Sequence, residues 1–472
     1  MNKIYIISIL VIALAFGSCG EDFLSPSPTA AISEAGYYEN EDQLQTGVIN
    51  MYDGLQGDNS VGTNDNRAVQ IEFYMAEMLS DNTKTKSSEG EASQFEDYTV
   101  ESTNGIVTDY YRSMYDIVFR ANTVIENLDV ADTKRAQFEG EAKFVRAYAY
   151  FNLVRIFGDV PLIDRVIDPL ETDEQFTRVA TSAIYDLIVS DLTTAVANLD
   201  NGSKNRASKA AAQAMLAKVQ LTLGNYSEAR AMCEAVVGSG EFSLLSNFKD
   251  VFFNERNEEI LFAIGYTSDD QLDSQNFSAE WLNAVGRTTG VNYVTDEAVA
   301  ALDALGGDRT EFSYRQDALQ TEFNQVVKYI PNGDDDLGIE PVSSNPTLAG
   351  NDWIVLRYAD VLLMHVESIM AGGANTVDGA AIASFQAVRD RAGITTPVAE
   401  VTKQMLLDER RVELAFENHR FFDLKRFGVA IDVLTEYSNN NGYSFSGTDL
   451  LLPIPQREIN LSKGELSQNP GY

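Results

Sequence analysis

The segment KAAAQAMLAKVQLTLGNYSEARAMCEAVV, residues 209–237, constrains the fold of this chain more than any other stretch. Apolar residues recur at helical spacing on both sides of a central Gly-Asn-Tyr turn, which predicts one helix before the turn and one after it. The small side chains of Ala214, Ala217 and Ala229 would let the two helices approach closely. The segment therefore predicts a helical hairpin inside a mostly helical protein.

The hairpin resembles the helix–turn–helix of tetratricopeptide repeats, with Gly224, Tyr226 and Ala229 at its elbow. The same periodicity predicts helices at 41–56, 69–79, 108–129, 133–157, 173–199, 206–223, 226–238, 352–371, 378–392 and 401–427. Between residues 239 and 350, short β-like runs such as EILFAIGY and QVVKYI stand among stretches rich in Gly, Asn, Asp and Ser. The predicted fold class is mainly α: a tetratricopeptide-like helical-hairpin scaffold with an irregular, loop-rich subdomain containing a few short strands.

The N-terminal residues have the pattern of an export signal. Lys3 is a basic start, the residues from Ile4 to Phe16 are almost wholly apolar, and a Gly-Ser pair stands directly before Cys19. A small pair followed by cysteine resembles a bacterial lipoprotein signal, in which the cysteine becomes the acylated N-terminus. An ordinary secretory signal with an incidental cysteine is the alternative. We therefore expect Cys19 to be a lipid anchor.

These patterns divide the chain into five parts. The predicted parts are a lipoprotein signal peptide at 1–18, a lipid-anchored tether rich in Ser and Pro at 19–30, an N-terminal helical region with hairpins at 31–238, the irregular loop-rich subdomain at 239–350, and a C-terminal helical region at 351–472 that closes on the scaffold. A long irregular segment within a compact protein usually carries function or is disordered. Ligand contacts are therefore expected in the subdomain at 239–350.

Acidic residues outnumber basic ones by 71 to 35, which gives a formal net charge of −36 at pH 7. Such an excess repels phosphate- and carboxylate-rich polymers, so it argues against nucleic acid as a partner. The chain has two cysteines, and acylation of Cys19 would leave Cys233 alone. An intramolecular disulfide is then excluded.

Catalytic patterns are weak in this sequence. The two histidines, His365 and His419, are isolated in helical patterns, and we find no nucleophile elbow, metalloprotease motif, phosphate-binding loop or cysteine metal cluster. Asp360 and Glu367 could act as the paired carboxylates of a glycoside hydrolase, but a buried ion pair between helices is the favoured interpretation. The acidic run at 334–336 lacks the spacing of an EF-hand and is interpreted as a solvated loop. The sequence therefore predicts no catalytic residues, no cofactor and no metal site.

The stretch DERRVELAFENHRFFDLKRFG, residues 408–428, alternates charged and apolar residues. Its spacing predicts a helix with local ion pairs between residues three apart, namely Asp408 with Arg411, Arg410 with Glu413, and Glu417 with Arg420. Because the five acids cancel the five basic residues, the stretch does not form a basic patch. We expect a helix that is apolar on one side and ion-paired on the other.

The same stretch closely resembles the signature of the SusD/RagB family of surface glycan-binding lipoproteins from Bacteroidetes. Further motifs fall in the order of that family: RAYAYFNLVRIFGDVPLI, VLRYADVLLMHVES, FQAVRDRAG and the closing LLPIPQREINLSKGELSQNPGY. The cysteine followed by GEDFLSPSP is similar to the family's N-terminus, and its acids resemble a surface-export tag. Together these motifs run from residue 19 to residue 472.

The resemblance implies a helical scaffold, an outer-membrane location through Cys19, and a partner. The partner is a SusC-like TonB-dependent outer-membrane transporter, which the lipoprotein covers as a lid. The implied activity is capture of oligosaccharides, or of peptides in some branches, without chemistry on them. Because tetratricopeptide hairpins often dock proteins, a pure assembly scaffold is a further alternative.

A sugar site needs exposed aromatic rings for the apolar C–H faces, and Asn, Asp or Arg side chains for the hydroxyls. Trp281, in the segment FSAEWLNAVGRTTGVNY, is the expected stacking surface, although it could also be a hydrophobic plug under the loop; Trp353 is expected to open a core helix. The predicted ligand-binding residues are Trp281, Asn283, Arg287 and Tyr293, with Asp58, Asp65, Asn66, Arg67, Asp81 and Asn82 from the N-terminal region. We expect a shallow site between the two regions, and its acids to favour a neutral glycan.

Overall fold

The computed structural model describes residues 37–59, 67–85, 90–168, 172–281, 292–317 and 320–472. Its α-helices are α1 (Glu41–Gln56), α2 (Glu72–Ala76), α3 (Ser93–Asp97), α4 (Gly105–Glu126), α5 (Arg135–Phe157), α6 (Thr172–Phe176), α7 (Thr181–Asn198), α8 (Lys209–Leu223), α9 (Tyr226–Ser239), α10 (Asp250–Phe253), α11 (Phe277–Glu280), α12 (Asp296–Leu305), α13 (Tyr358–Met370), α14 (Gly379–Arg391), α15 (Lys403–Glu413), α16 (Arg420–Arg426), α17 (Ala430–Asn441) and α18 (Gln456–Leu461). The predicted mainly helical fold class is confirmed.

The strands are short and form four small antiparallel sheets. They are β1 (Thr83–Lys84), β2 (Val160–Pro161), β3 (Arg178–Val179), β4 (Ile260–Ile264), β5 (Tyr293–Val294), β6 (Tyr314–Gln316), β7 (Asn324–Val326), β8 (Trp353–Arg357), β9 (Asn375–Thr376) and β10 (Val401–Thr402). The largest sheet has the order β1-β5-β7-β6, and the pairs β2-β3, β4-β8 and β9-β10 stand apart from it. Four of these ten strands come from residues 239–350, where the sequence predicted short strands.

The long helices pack in a continuous series. Helix α4 contacts α5, α5 contacts α7, α7 contacts α8, α8 contacts α9, α9 contacts α13, and α13 contacts α14. Such a series buries one continuous core, because each helix covers the apolar face of the next. Within the part of the chain that the structure describes, none of the helices combines the length and the apolar composition that crossing a bilayer requires.

The hairpin predicted from residues 209–237 is formed by α8 and α9. Ser208 caps the start of α8, because its side chain accepts a hydrogen bond from the Ala211 backbone N–H. Gly224 ends the helix with a φ of 75°, a left-handed conformation that costs glycine little because it has no Cβ. Ala214, Ala217 and the other small residues between the helices are buried. The predicted close approach of the two helices is confirmed.

Three predicted helices contain a strand, and in the one predicted at 401–427 it is the short β10 at the start. The prediction for 352–371 is wrong at its start, because Trp353 lies in strand β8 and the helix begins only at Tyr358. The run WIVLR is rich in β-branched and aromatic residues, and it pairs with β4, where Trp353 faces Ile264. The prediction for 173–199 is also interrupted, since β3 separates α6 from α7.

The helix predicted at 401–427 is broken in the middle. Helix α15 ends at Glu413 and α16 begins at Arg420, and between them Phe416 and Asn418 have φ values of 66° and 61°. The backbone N–H of Asn418 donates to Glu77 Oε1 over 2.7 Å. The break therefore turns this segment toward the N-terminal region instead of continuing the helix.

The three local ion pairs predicted for this stretch are wrong, because most of the charged side chains concerned pair elsewhere; a local pair does form between Asp423 and Arg426. Arg309, Arg357 and Arg391 meet the carboxylates of Glu259, Glu409, Glu413 and Glu417, and we call these seven residues the ion-pair cluster. Arg357 Nε lies 2.6 Å from Glu417 Oε2, and Arg309 Nη1 lies 2.7 Å from Glu413 Oε2. A buried charge is tolerated when it is paired. The cluster therefore joins the C-terminal motif to the middle of the chain.

Candidate functional site

The two regions expected to bind ligand lie side by side. Strand β1 pairs with β5, so that Thr83 is opposite Val294. Nearby, Asn59 Nδ2 donates to Ser274 Oγ over 2.7 Å and to the Thr347 carbonyl over 3.0 Å. We call this meeting place, formed by residues 56–59, 67–85, 265–281, 292–295 and 342–351, the junction.

An exposed loop forms the outer edge of the junction. Residues 267–273 carry three aspartates, and Leu272 at its tip is 68% exposed. The loop is held from below, because Gln56 Nε2 donates to the Asp273 carbonyl over 3.1 Å. It is held from the side, because Asp269 Oδ1 accepts a hydrogen bond from Ser343 Oγ over 2.9 Å. The loop thus presents polar groups to solvent from a fixed base.

Asp58 and Arg67 are the predicted site residues that stay half-exposed. Arg67 is positioned by its backbone N–H, which donates to Ser113 Oγ on α4 over 3.0 Å. Four other predicted residues, Asp65, Asn66, Asn283 and Arg287, lie outside the described residues, as does Cys19. The stretches that carry the first four flank described parts of the junction in sequence, so their ligand contacts stay a prediction.

Trp281 does not offer a stacking surface in this structure. Its side chain is 1% exposed and its ring makes edge-to-face contacts with Phe73, Tyr329 and Phe416 at centroid distances of 5.8, 4.9 and 6.4 Å. These aromatic residues from three parts of the chain pack around it because burial removes their large apolar area from water. The hydrophobic plug, the second of the two interpretations, describes its position.

Tyr293 is likewise buried, against expectation. It lies in strand β5 with no exposed surface, and its ring centroid is 4.7 Å from that of Phe323. Both residues of this short strand are buried, so the side chain of Tyr293 packs inside the protein. A ligand on the surface of the junction therefore cannot contact it without rearrangement.

Asp81 and Asn82 are also structural, which corrects their predicted ligand role. Asp81 is buried and accepts two hydrogen bonds from Arg420, at 2.8 and 3.0 Å, while Arg411 lies 3.0 Å away. Burial alone would raise the pKa of Asp81, but the two guanidinium groups hold it well below its usual range. Asn82 Oδ1 accepts from Arg411 Nε over 3.1 Å. Both residues tie the junction to the C-terminal motif.

A group of buried polar atoms beneath the junction has no hydrogen-bond partner in the described structure. The atoms are Asn276 Oδ1, Trp281 Nε1, and both side-chain amide atoms of Asn292 and of Asn351. A buried polar group without a partner costs about 1–3 kcal/mol, and such groups in proteins commonly bind water or ligand. The sequence reasoning missed these asparagines, although Asn276 and Asn292 stand close to the predicted Trp281 and Tyr293.

The carboxylates considered for hydrolysis are ion-paired. Asp360 lies 2.8 Å from Lys218 Nζ and 2.9 Å from Arg410 Nη1, and Glu367 lies 2.7 Å from Arg426 Nε. Burial would raise the pKa of Asp360, but Lys218 and Arg410 hold it well below its usual range. A general acid needs a raised pKa at working pH. These residues therefore tie helices together, as the ion-pair interpretation predicted.

Metal-ligating side chains do not cluster in the part of the chain that the structure describes. No group of three or more His, Cys, Asp or Glu side chains in these ranges could hold a metal ion. Asp334, from the acidic run at 334–336, forms an ion pair with Arg315. This ion pair gives the Asp334 carboxylate a structural role within the subdomain.

Two family models match the chain. The model described as "SusD family" matches residues 328–472, and the model described as "Starch-binding associating with outer membrane" matches residues 22–221. They match the C-terminal motif and most of the helical scaffold, and they leave the region between residues 221 and 328 unmatched.

Similar proteins extend over most of the chain. A SusD-like protein P2 of Formosa agariphila is 25% identical and covers 100% of both chains. A SusD-like protein of Bacteroides ovatus is 26% identical over 98% of this chain and 89% of its own. Among solved structures, a laminarin binding SusD-like protein is 27% identical, with a TM-score of 0.76 over 92% of this chain and 100% of that chain. The helical scaffold, the C-terminal motif and these relatives agree, and the chain belongs to the SusD/RagB family.

Proposed function

We propose that the protein binds oligosaccharides at the junction and delivers them to a SusC-like TonB-dependent transporter in the outer membrane. Relatives named as starch-binding and laminarin binding proteins support a glycan as the ligand. The observation that carries the proposal is the exposed polar loop at residues 267–273, which presents carboxylate and amide groups at the edge of the junction. Such groups are suitable partners for sugar hydroxyls.

The ligand is a neutral glycan, because the exposed edge of the junction is acidic. Asp58, Asp269, Asp270 and Asp273 all lie at this edge, and uronate or sulfate groups would be repelled there. Specificity belongs to the irregular subdomain, most of which lies between the two segments matched by the family models. Conserved scaffold and variable loops are the usual division of labour in binding proteins.

Calorimetry with the purified protein against neutral oligosaccharides, anionic oligosaccharides and peptides tests this ligand class. We expect binding of a neutral glycan, and a double change of Asn283 and Arg287 to alanine should weaken it about ten-fold, the equivalent of one good hydrogen bond to a charged group. Exposed Glu436 changed to alanine is the matched control. Binding of peptides alone would replace the glycan by a peptide ligand, and the absence of any ligand would favour an assembly scaffold.

The protein acts without chemistry on the glycan. Asp360 and Glu367 are neutralised by neighbouring cations, which removes the carboxylates that a glycoside hydrolase would use. A reducing-sugar assay with pure protein should show no turnover of the glycan that binds. Sustained release of reducing ends that is lost in an Asp360→Asn variant with an intact fold would overturn this part of the proposal.

The protein is held at the outer membrane through acylated Cys19. Several acyl chains hold a protein stably where a single chain binds only marginally. A Cys19→Ala variant should leave the membrane fraction, and a variant that stays there would exclude the anchor. Co-purification from the native outer membrane should recover the transporter with the anchored protein, whereas an uncomplexed monomer would count against the partnership.

A further inference from the structure

A groove of about 360 Å³ lies on the helical scaffold, and the junction contributes none of its described lining residues. Its walls are the middle of α4, the extended residues 163–167, α6 and α18. Volumes of about 300–1,000 Å³ are typical of sites that hold small ligands. We call it the α4–α18 groove.

Aromatic rings form one wall of the α4–α18 groove. Tyr111 and Tyr115 are successive turns of α4 with ring centroids 5.0 Å apart, and Tyr115 Oη donates to the Pro161 carbonyl over 2.7 Å. Phe119, one turn further on, is 42% exposed, and Phe176 approaches from α6. Rings that are fixed and partly exposed offer stacking faces without further loss of side-chain entropy.

The charge of the groove is opposite to that of the chain. Arg112, Arg165 and Arg457 line it, and among the described lining residues the one acid is Glu458, which pairs with Arg457 over 2.7 Å. The side chain of the half-buried Arg112 makes no hydrogen bond or ion pair with any residue that the structure describes. A guanidinium group presents a planar fork that matches the oxygens of a carboxylate or a sulfate.

A second groove of about 410 Å³ continues from the first and shares Arg457 and Leu461 with it. Its lining is polar, with the hydroxyls of Ser102, Thr103 and Thr108 and the amides of Gln456 and Asn460. These groups already form hydrogen bonds within the protein, and an apolar helix from a partner protein would leave their remaining hydrogen-bonding capacity unmet, which is unfavourable. A ligand with many hydroxyl groups that runs from the first groove to the second can stack on the aromatic wall and form hydrogen bonds with the polar wall.

We propose that the α4–α18 groove is a second saccharide site, which binds short oligosaccharides carrying carboxylate or sulfate groups. Sugar rings stack on Tyr115 and Phe119, the anionic group pairs with Arg112, and the following hydroxyls bond in the polar groove. This site is independent of the neutral-glycan function proposed for the junction. It gives an acidic protein a local surface to which anionic sugars are attracted.

Calorimetry of the purified, full-length lipoprotein at low salt tests the proposal, with trigalacturonic acid, a sulfated carrageenan oligosaccharide and neutral maltotriose as probes. The uronate and sulfate arms show which anion fits. We expect Arg112→Gln to weaken binding of an anionic probe about ten-fold, since one charge-assisted hydrogen bond has roughly that effect. Phe119→Ala should also weaken it. The matched control is Arg135→Gln, a half-exposed arginine that pairs with Asp129 outside the groove.

Each outcome has a definite meaning for the groove. Weaker anion binding in Arg112→Gln, with the neutral ligand of the junction still bound, supports the second site. No binding of either anionic probe, or unchanged affinity in Arg112→Gln, overturns it. Loss of transporter co-purification in Arg112→Gln, in a protein that binds neither anion, replaces the saccharide by a protein partner. Failure of the neutral-glycan screen alone leaves this measurement unaffected.

Discussion

The ion-pair cluster and the α4–α18 groove each contain three arginines, yet the arginines of the two regions are paired in different ways. In the cluster, Arg309, Arg357 and Arg391 each pair with two or more carboxylates. In the groove, Arg112 has no such partner and Arg457 pairs with its sequence neighbour.

The difference follows from access to water. A charge in the protein interior must be paired because desolvation is costly. Each arginine of the cluster is therefore held in one position by its carboxylate partners. An arginine at a groove is solvated and keeps its hydrogen-bonding capacity for a ligand. Composition alone does not separate the two uses of arginine; pairing and exposure do.

The largest expected effect is in the ion-pair cluster. Glu413→Gln removes the charge that Arg309, Arg357 and Arg391 share, and leaving buried cations short of a partner should lower the free energy of unfolding by about 3–5 kcal/mol. Urea denaturation measures the loss, with the exposed Glu436→Gln as the control within about 0.5 kcal/mol. A loss below about 1 kcal/mol would show that the cluster is not structural.

A comparable but smaller loss in the free energy of unfolding is expected for a change at Trp281, because this junction residue is buried in an aromatic cluster. Trp281→Ala removes a buried ring from an aromatic cluster and should cost about 3–4 kcal/mol. Where the variant is folded, its affinity for the neutral glycan should change by less than about three-fold. A ten-fold loss of affinity in the folded variant would show that Trp281 takes part in ligand binding.

Glu77 gives the next effect, which depends on pH. Burial raises the pKa of Glu77 from 4.5 to about 7, so the folded state binds a proton that the unfolded state has lost between these values. Its contribution to stability is therefore present below about pH 4.5 and lost as the pH rises through 7, a change of about 3 kcal/mol. Glu77→Gln should remove this part of the pH dependence, which urea unfolding at pH 5 and pH 8 would show. If the free energy of unfolding changed equally between pH 5 and pH 8 in both proteins, the role of Glu77 would be contradicted.

The smallest effect is expected in the groove. Arg112→Gln should change the free energy of unfolding by less than about 0.5 kcal/mol, because this arginine supports no ion pair. The same substitution at Arg357, in the ion-pair cluster, provides the contrast within one protein. If both variants lost stability equally, the distinction between paired and available arginines would not hold.

The parts of the fold that could be predicted from sequence are those with local causes. The hairpin of α8 and α9 follows from apolar spacing and from Gly224, both within 30 residues of chain. The broken helix around Phe416 does not follow from any local pattern, because its cause is a set of partners such as Glu77 and Arg357 that lie far away in sequence.

The same reason explains the errors in the candidate site. Asp81 and Asn82 have the composition of a solvated loop, and their partners Arg411 and Arg420 stand more than 300 positions later. The α4–α18 groove could not be found from sequence, since its walls come from three separate parts of the chain. The adjacency of the two expected regions was inferable, but the burial of Trp281 was not, because burial depends on what packs above it.

The bond between Asp81 and Arg420 has a consequence for the timing of folding. These residues are 339 positions apart, and the ion-pair cluster likewise cannot form before Glu413 and Glu417 have been synthesised. A nascent chain has made Asp81 and most of the scaffold long before the ribosome adds the side chains that complete the buried charges. Such long-range closure slows folding. Under the export proposed above, this late closure leaves the chain without its buried ion pairs until the last helices have been synthesised.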